Sequence, residues 1–405
     1  MKNTINLLVF LLFSSVIYAQ DSGYKFIMMK DLPVTPVKNQ YVSPTCWSFS
    51  GLSFFESELI RMGKKSYDLS EMYLVRETYK KKAEEFLKRK GETSFAGGGE
   101  YQDLLNISRE VGLVPEEAYP GLNYGEKRHD HHEMDAVLKG YMQGLLKSPK
   151  LTTAWSNGLN GILDAYLGKT SDNFQFDNKI YTSGSFMSEL EINLDDYVIL
   201  SSFNNHPFYE EFVIKEVPEN WTPSICYNLP LDELMQVIDN ALMNDYTIAW
   251  ASGINDKGFS MKRGVAIIPE KDWSKMSSQE SIEVFQGPAP QKQITQEVRQ
   301  KAFEDSEVTG DHGMHIVGIA EDQAGNTFYK VKNSWGATGI YKGFIFVSKP
   351  FVMLKTTTCM VNKKALPVAI AQKMGIITIP GKTLTAVDSD SNLIPGSTPQ
   401  GAGSQ

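Results

Sequence analysis

Three residues that lie far apart in the chain, Cys46, His315 and Asn333, carry the side chains that a cysteine hydrolase needs. In such an enzyme a thiolate attacks a carbonyl carbon, an imidazole takes the thiol proton, and an amide oxygen holds the imidazole in the correct tautomer. The pKa of a thiol falls at a helix N-terminus and beside an imidazolium. Because Pro44 discourages helix before it, we expect a helix to begin near Cys46 with the thiol at its positive end.

The choice of histidine depends on a predicted β-hairpin. A strand beginning at His315 and a returning strand ending at Lys332 are joined by a turn around Ala324. Folding the chain about that residue places His315 opposite Asn333 on the same face, where the amide oxygen could accept the imidazole N–H. A slip of one residue would turn one partner away, and His312 is then the alternative base. The six histidines of the chain are His129, His131, His132, His206, His312 and His315.

Acyl transfer also requires hydrogen-bond donors for the oxyanion. Gln40 lies six residues before Cys46 and can supply a side-chain amide. The backbone N–H of Cys46, at the start of the predicted helix, would be the second donor.

The elements that would position these residues divide the chain into a helical front and a β-rich back. A first helical pattern runs from Cys46 and stops at Gly63. A second begins after Ser70, and a third covers 101–111. A further helix is predicted over 231–242, and short strand-like runs separated by turns begin at Thr247. This order is typical of an α+β protein. The polar tail from Gly381 is predicted to be disordered.

The N-terminus has the order of a secretory signal peptide. Lys2 precedes the apolar run 7–13, and small residues follow as far as Ala19, where we place the cleavage. The run is too short to span a membrane and no longer apolar run follows it. We therefore expect a protein that is exported to the periplasm or the extracellular space, without a membrane span once the signal is removed.

Charge and cysteine content limit the other classes of function. The net charge of −8 disfavours nucleic acid as a partner, since binding to phosphates needs a basic face. Three cysteines are too few for a disulfide framework. Besides Cys46, the thiols of Cys226 and Cys359 could pair with each other or stay single and buried.

The stretch 129–132, which reads His-Asp-His-His, invites a metal-site hypothesis because imidazole and carboxylate are zinc ligands. Side chains at adjacent positions rarely converge on one ion, and the stretch has the pattern of a solvated loop. No metal and no cofactor is expected.

Three regions together resemble the signatures of the papain superfamily: 40–50, the Gly-Met-His sequence ending at His315, and 333–336, which reads Asn-Ser-Trp-Gly. Two departures stand out. Ser43 occupies the position of the upstream cysteine of the papain signature, and the intervals from Cys46 to His315 and Asn333 exceed the usual ~130–150 residues. Both departures are typical of the bleomycin hydrolase branch, which includes bacterial aminopeptidase C. Further segments that resemble this branch are 69–73, 98–101, 201–203, 206–209, 227–231 and 257–260.

The resemblance implies a two-lobed papain-like fold with a helical insertion. Together with the sequence patterns, it predicts a helical lobe with the nucleophile at 20–125, an insertion at 126–245 and a β-rich lobe at 246–376, between the signal peptide at 1–19 and the polar tail at 377–405 that composition indicates. It also implies peptide substrates shortened from the N-terminus, a ring-like homohexamer, and substrate contacts at Gly98, Gly99 and Trp335.

Two functional alternatives stay open at this stage. A catalytically inactive homologue could keep the cleft and only bind peptides, and an amidase or transglutaminase-like enzyme would use the same triad. In the resembled family the C-terminal carboxylate meets the substrate's free amine inside the cleft. In this chain the family-like end at Ile376 is followed by a polar tail, so we expect selectivity for free N-termini to be reduced or to depend on removal of the tail.

Overall fold

The computed structural model describes residues 23–214, 221–222 and 225–376. The predicted signal peptide and the predicted tail at 377–405 lie outside the described residues. Among the described helices, none is long and apolar enough to cross a membrane. The helices are α1 (Cys46–Arg61), α2 (Glu71–Lys88), α3 (Tyr101–Val111), α4 (His132–Leu146), α5 (Ala154–Leu167), α6 (Ser183–Leu190), α7 (Leu231–Met243), α8 (Ser278–Glu283), α9 (Gln296–Glu304), α10 (Lys349–Lys355) and α11 (Val368–Lys373).

Most strands join one mixed sheet, in the order β5-β6-β4-β13-β7-β10-β11-β12-β9-β8, with β1 paired to β10 beside this path. A separate hairpin pairs β2 with β3. Helices and a large sheet in one chain confirm the predicted α+β class. The strands are β1 (Phe26–Asp31), β2 (Phe174–Phe176), β3 (Lys179–Tyr181), β4 (Tyr197–Ser201), β5 (Glu211–Val213), β6 (Ile225–Asn228), β7 (Ile248–Ser252), β8 (Phe259–Ser260), β9 (Val265–Ala266), β10 (His312–Asp322), β11 (Thr327–Lys332), β12 (Phe344–Ser348) and β13 (Thr356–Asn362).

Helix α1 is buried over nearly its whole length and packs against β10. The helix ends at Arg61. Gly63, two residues later, has φ +78, a left-handed conformation that favours glycine. At Gly51 a Cβ atom would come within 2.5 Å of Leu104, so a side chain there would separate α1 from α3. The predicted start and end of this helix are confirmed to within a residue.

The hairpin of β10 and β11 contains an irregularity that changes which residues face each other. Near the turn the predicted pairing holds, since Ile319 lies opposite Tyr329. Between Ile316 and Gly318 the register shifts, and beyond this bulge His315 lies opposite Lys332. The prediction that His315 faces Asn333 across the hairpin is therefore wrong by one position. One extra residue in β10 accounts for the difference.

The segment predicted as an insertion, 126–245, contributes to both sides of the molecule. Helices α4 to α6 bury their apolar faces in the core that also contains α1 to α3. Strand β4 joins the main sheet next to β13, and β6 pairs with the other edge of β4. Helix α7 packs against β7 and β10 and is buried in the core on the sheet side, as its amphipathic pattern predicts.

Candidate active site

The thiol of Cys46 lies at the first residue of α1, directly after the N-cap Thr45. The residue is partly exposed. Its carbonyl oxygen accepts a hydrogen bond from Ser50 Oγ at 2.7 Å, which reinforces the first turn. Cys46 therefore sits at the positive end of a long buried helix, as the sequence predicts.

His312, the first residue of β10, is the imidazole that meets Asn333. Its Nε2 lies 2.8 Å from Asn333 Oδ1, and its ring packs on Trp335 with centroids 4.9 Å apart. His312 and Cys46 line the same cavity, which has a volume of about 710 Å³. An amide oxygen at one ring nitrogen leaves the other nitrogen, Nδ1, as the atom that can take a proton.

His315 has surroundings that do not suit a catalytic base. It is completely buried, and its Nδ1 lies 2.9 Å from Ser53 Oγ on α1. It does not line the cavity that contains Cys46. Burial and the charge of Lys332 hold the pKa of His315 well below its usual value. The structure thus brings together Cys46 and Asn333 as predicted, but it places His312 between them, because the bulge turns His315 towards α1.

Burial favours the neutral forms of both reacting groups. Burial raises the pKa of the Cys46 thiol to about 11, and the negative charge of Glu100 also raises it. The backbone N–H of Gly313 acts in the opposite direction and lowers this pKa. Burial also lowers the pKa of His312, although the hydrogen bond that its Nε2 donates to Asn333 Oδ1 opposes this shift. An imidazolium formed at His312 is stabilised by its hydrogen bond to Asn333 Oδ1.

Gln40 lies on the wall of the same cavity, where the sequence placed an oxyanion donor. Its Nε2 donates to the carbonyl oxygen of Ser43 at 2.7 Å, and Ser334 Oγ donates to its Oε1. The contact with Ser43 uses one of the two N–H groups of the amide, which fixes the direction of the other. Ser334, next to Asn333, thus positions Gln40, a role that the sequence did not indicate.

Gly98 and Gly99 form a wall of the cavity close to Cys46. A Cβ atom on Gly99 would come within 2.9 Å of the Trp47 ring, so the close approach requires glycine. The loop is held by the buried Lys82, whose ammonium donates to the carbonyl oxygens of Ala96 and Gly98. Trp335, the third predicted substrate contact, packs on His312 and against Phe259.

Several polar residues of the cavity were not singled out by the sequence. Glu100 follows the glycine wall directly, while Gln300 and Glu304 come from α9. Asp311 precedes His312. The acidic residues between 304 and 311 are the sequence feature that could have indicated these cavity residues. Nothing in the local pattern, however, shows that they face a cavity.

The histidines at 129–132 do not converge on one point. His129 and His131 are buried with ring centroids 6.0 Å apart, whereas His132 is exposed and lies beside Asp130. Among the described residues, no group of three or more potential ligands is arranged to hold a metal ion. Cys226 and Cys359, the two remaining thiols, are both free and buried.

A thiol at the start of a helix shares a cavity with an imidazole that is oriented by an asparagine just after the neighbouring strand, which is the arrangement of a papain-like cysteine peptidase. The family model "Peptidase C1-like family" matches residues 165–388, and the model "Papain family cysteine protease" matches 26–192. The chain belongs to the Peptidase C1-like family and is a cysteine peptidase.

Individual proteins resemble it along most of their length. Aminopeptidase G of Lactobacillus delbrueckii subsp. lactis is 24% identical over 385 residues, with 84% of each chain covered. Aminopeptidase C of Lactococcus lactis subsp. cremoris is 23% identical, with 83% of this chain and 82% of that protein covered. The crystal structure of pepw from Lactobacillus rhamnosis HN001 shares the fold with a TM-score of 0.66 and 18% identity, covering 86% of this chain and 84% of that one.

Proposed function

We propose that this peptidase removes amino acids from the N-termini of peptides through a thioacyl-enzyme, with Cys46 as nucleophile, His312 as base and Asn333 as the group that orients His312. One observation carries the proposal. His312, held by Asn333 at 2.8 Å, shares the wall of one cavity with Cys46 at the start of α1.

The first half of the reaction forms the thioester. His312 takes the proton from Cys46 Sγ, and the thiolate attacks the carbonyl carbon of the first residue. The negative charge that develops on the oxygen is met by the Cys46 N–H and by the amide of Gln40. The C–N bond then breaks, and His312 returns its proton to the leaving amine.

The second half regenerates the enzyme. A water molecule gives a proton to His312 and attacks the thioester carbon, so that the free amino acid leaves and Cys46 recovers its proton. The same imidazole serves as base and acid in both halves, which requires that it keep one orientation. The hydrogen bond to Asn333 and the packing on Trp335 supply that orientation.

The choice of an aminopeptidase rests on similarity along the whole chain. Aminopeptidases G and C match more than four fifths of this chain and of their own length. Peptides are therefore the proposed substrates, attacked at the N-terminal residue.

The proposal is tested with a panel of aminoacyl fluorogenic amides, assayed with and without a thiol reductant. Cys46→Ala should abolish turnover and leave thermal stability almost unchanged, because this thiol is partly exposed at a helix start. Cys226→Ala, at a buried free thiol, is the matched control and should retain turnover.

Labelling with iodoacetamide gives an independent readout. Inactivation should follow modification of Cys46, because this thiol is partly exposed in the cavity that His312 also lines, whereas Cys226 and Cys359 are buried. Inactivation that instead followed modification of Cys226 or Cys359 would refute the assignment of the nucleophile.

A further inference from the structure

The loop that forms the glycine wall of the cavity is attached to the protein through its carbonyl oxygens. Lys82 Nζ donates to the carbonyl oxygen of Ala96 at 2.7 Å and to that of Gly98. Between these two, Trp47 Nε1 donates to the carbonyl oxygen of Gly97 at 3.0 Å. Three consecutive carbonyl groups of the loop therefore face side chains of the protein itself.

Lys82 holds this loop from behind. Its side chain comes from α2, is 2% exposed and does not line the cavity of Cys46. The carboxylates of Asp103 on α3 and Asp135 on α4 interact electrostatically with its ammonium. A buried cation with partners in the protein fixes the groups around it and is not placed to touch a substrate.

The direction of the Gly98 carbonyl decides where the next N–H points. In a planar trans peptide unit the C=O and the following N–H point in opposite directions, and no described peptide bond is cis. Because the Gly98 oxygen points back to Lys82, the N–H of Gly99 points to the other side of the loop. That is the side on which both glycines line the cavity beside Cys46. Within the described part of the chain, this N–H has no hydrogen-bond partner.

Close packing leaves the loop little room to adjust. A Cβ atom on Gly97 would come within 2.7 Å of Pro44, and one on Gly99 would come within 2.9 Å of the Trp47 ring. Both contacts join the loop to the chain at the start of α1. The N–H of Gly99 is thus held at a fixed position relative to the nucleophile.

An N–H at this wall can bind an acceptor atom that lies upstream of the scissile bond. In a peptide or an N-acylated residue, the carbonyl oxygen that precedes the residue under attack is four bonds from the attacked carbon, within roughly 5 Å. Such an oxygen can reach the wall of the cavity that contains Cys46. A free ammonium has only donors and gains nothing from this N–H.

We propose that Lys82 is a positioning residue that directs the N–H of Gly99 into the cavity, where it binds the carbonyl oxygen preceding the residue attacked by Cys46. This inference rests on the proposed function, in which Cys46 is the nucleophile. It extends that function, because the cavity then binds ligands with an acylated amine as well as those with a free amine.

The test compares two aldehydes, leucinal and N-acetyl-leucinal, as reversible ligands of the full chain. The sulfur of Cys46 adds to the aldehyde carbon and the thiol proton passes to the oxygen, so affinity is measured as protection of this thiol from iodoacetamide. Only the acetylated aldehyde carries the upstream carbonyl oxygen.

Lys82→Met removes both hydrogen bonds from the ammonium to the loop. We expect it to weaken binding of N-acetyl-leucinal by about 3- to 10-fold, as for loss of one neutral hydrogen bond. Binding of leucinal, which has no acceptor at this wall, should change by less than about twofold. A role of Lys82 in the fold alone would not distinguish the two aldehydes.

Two further variants serve as controls. Lys81→Met removes the neighbouring lysine, which pairs with Glu110 at the surface, and should leave both affinities unchanged. Lys82→Gln keeps an amide donor in place of the ammonium and should show a smaller loss that is again confined to N-acetyl-leucinal. It supplies the comparison if Lys82→Met does not fold. Thermal unfolding of each variant shows whether it is folded.

The outcomes separate the inference from the function on which it rests. If a folded Lys82 variant loses affinity for both aldehydes equally, or for neither, the role of Lys82 is refuted while the peptidase function stands. If the wild-type enzyme does not hydrolyse leucyl amides, but N-acetyl-leucinal protects Cys46 in a manner that depends on Lys82, the peptidase function fails and the inference stands. A loss confined to N-acetyl-leucinal, and absent in Lys81→Met, supports the inference.

Discussion

Two histidines that lie three residues apart in β10 have opposite environments. His312 contacts Asn333 and Trp335 and lines the cavity of Cys46. His315 is enclosed between α1 and the sheet, next to Ser53, and its Nε2 has no hydrogen-bond partner among the described residues. The position of His312 fits the base of the proposed mechanism, whereas His315 fills the interior.

This difference predicts distinct effects of mutation. His312→Ala should lower kcat by about 10²- to 10⁴-fold with little change in thermal stability, because it removes a general base at the edge of a cavity. His315→Asn should leave kcat within about tenfold but lower the melting temperature, because it disturbs a fully buried contact. Steady-state kinetics and thermal unfolding of both variants provide the measurement. A folded His315→Asn variant without activity, together with an active His312→Ala variant, would show that His315 is the base, as the sequence predicts.

The residue types of the site were predictable because they follow from the chemistry. Cys46, Asn333 and Gln40 were chosen for the roles of nucleophile, orienting amide and oxyanion donor. In the structure Cys46 and Gln40 line one cavity, and Asn333 contacts His312, which lines the same cavity. Glu100 was not predicted as a site residue, because its relevance depends on how α3 packs against α1. A pattern within α3 alone contains no such information.

At the scale of elements, local signals predicted the helices well and the hairpin register incompletely. Helix α1 begins after Pro44 and ends before Gly63, both of which act through their own backbone. The bulge in β10 has no comparable local signal. Its carbonyl at Val317 accepts a hydrogen bond from Leu32 at 2.9 Å, just after β1. The register of the hairpin thus depends on a third strand that is remote in sequence.

A buried polar network connects the helix of the nucleophile with the strands of the base and its orienting amide. The ammonium of Lys332, at the end of β11, donates to Ser53 Oγ on α1 at 2.8 Å and to Thr35 Oγ1 at 2.9 Å. Thr35 Oγ1 in turn donates to the carboxylate of Glu56, also on α1. Burial lowers the pKa of Lys332 to about 8. Since unpaired buried polar groups are costly, this network restrains α1 relative to β10 and β11.

At the scale of the whole molecule, one core lies among the helices and another lies around the sheet, and the cavity of Cys46 opens where they meet. The predicted division at residues 126 and 245 reflects a change of composition along the chain. Strand pairing does not follow this division, because β4 lies within the segment and pairs with β13, far later in the sequence. Long-range strand pairing of this kind is set by tertiary contacts that composition does not encode.

The buried pair His129 and His131 makes stability depend on pH. Burial lowers the pKa of His131 from 6.5 to about 4, and neither of its ring nitrogens has a hydrogen-bond partner within the described part of the chain. Between these two pKa values the unfolded chain binds more protons than the folded one, so this residue makes the protein less stable as the pH falls from 6.5 towards 4.

His131→Phe removes that dependence while keeping a ring in the site. At each pH the unfolding free energy of the variant is compared with that of the wild type. This difference should favour the variant by about 2 kcal/mol more at pH 5 than at pH 7. Urea unfolding of both proteins at the two pH values measures the difference. An identical difference at pH 5 and pH 7 would show that His131 keeps its ordinary pKa in the folded state.

The remaining prediction concerns the residues after Ile376. Ile376 is buried in the core on the sheet side, and no described residue after Gly313 lines the cavity of Cys46. To bring a carboxylate from beyond Ile376 to the substrate's amine, the intervening chain would have to be ordered along the protein surface, which costs conformational entropy.

We therefore expect a chain that ends at Ile376 to retain or sharpen the preference for free N-termini. The measurement is the ratio of kcat/KM for leucyl and N-acetyl-leucyl amides in the full and the shortened chain, with thermal unfolding as the control for folding. If the preference falls by tenfold or more on truncation, the amine is held by the C-terminal segment, as the family resemblance implies. If the preference is kept or sharpened, residues up to Ile376 select the free N-terminus.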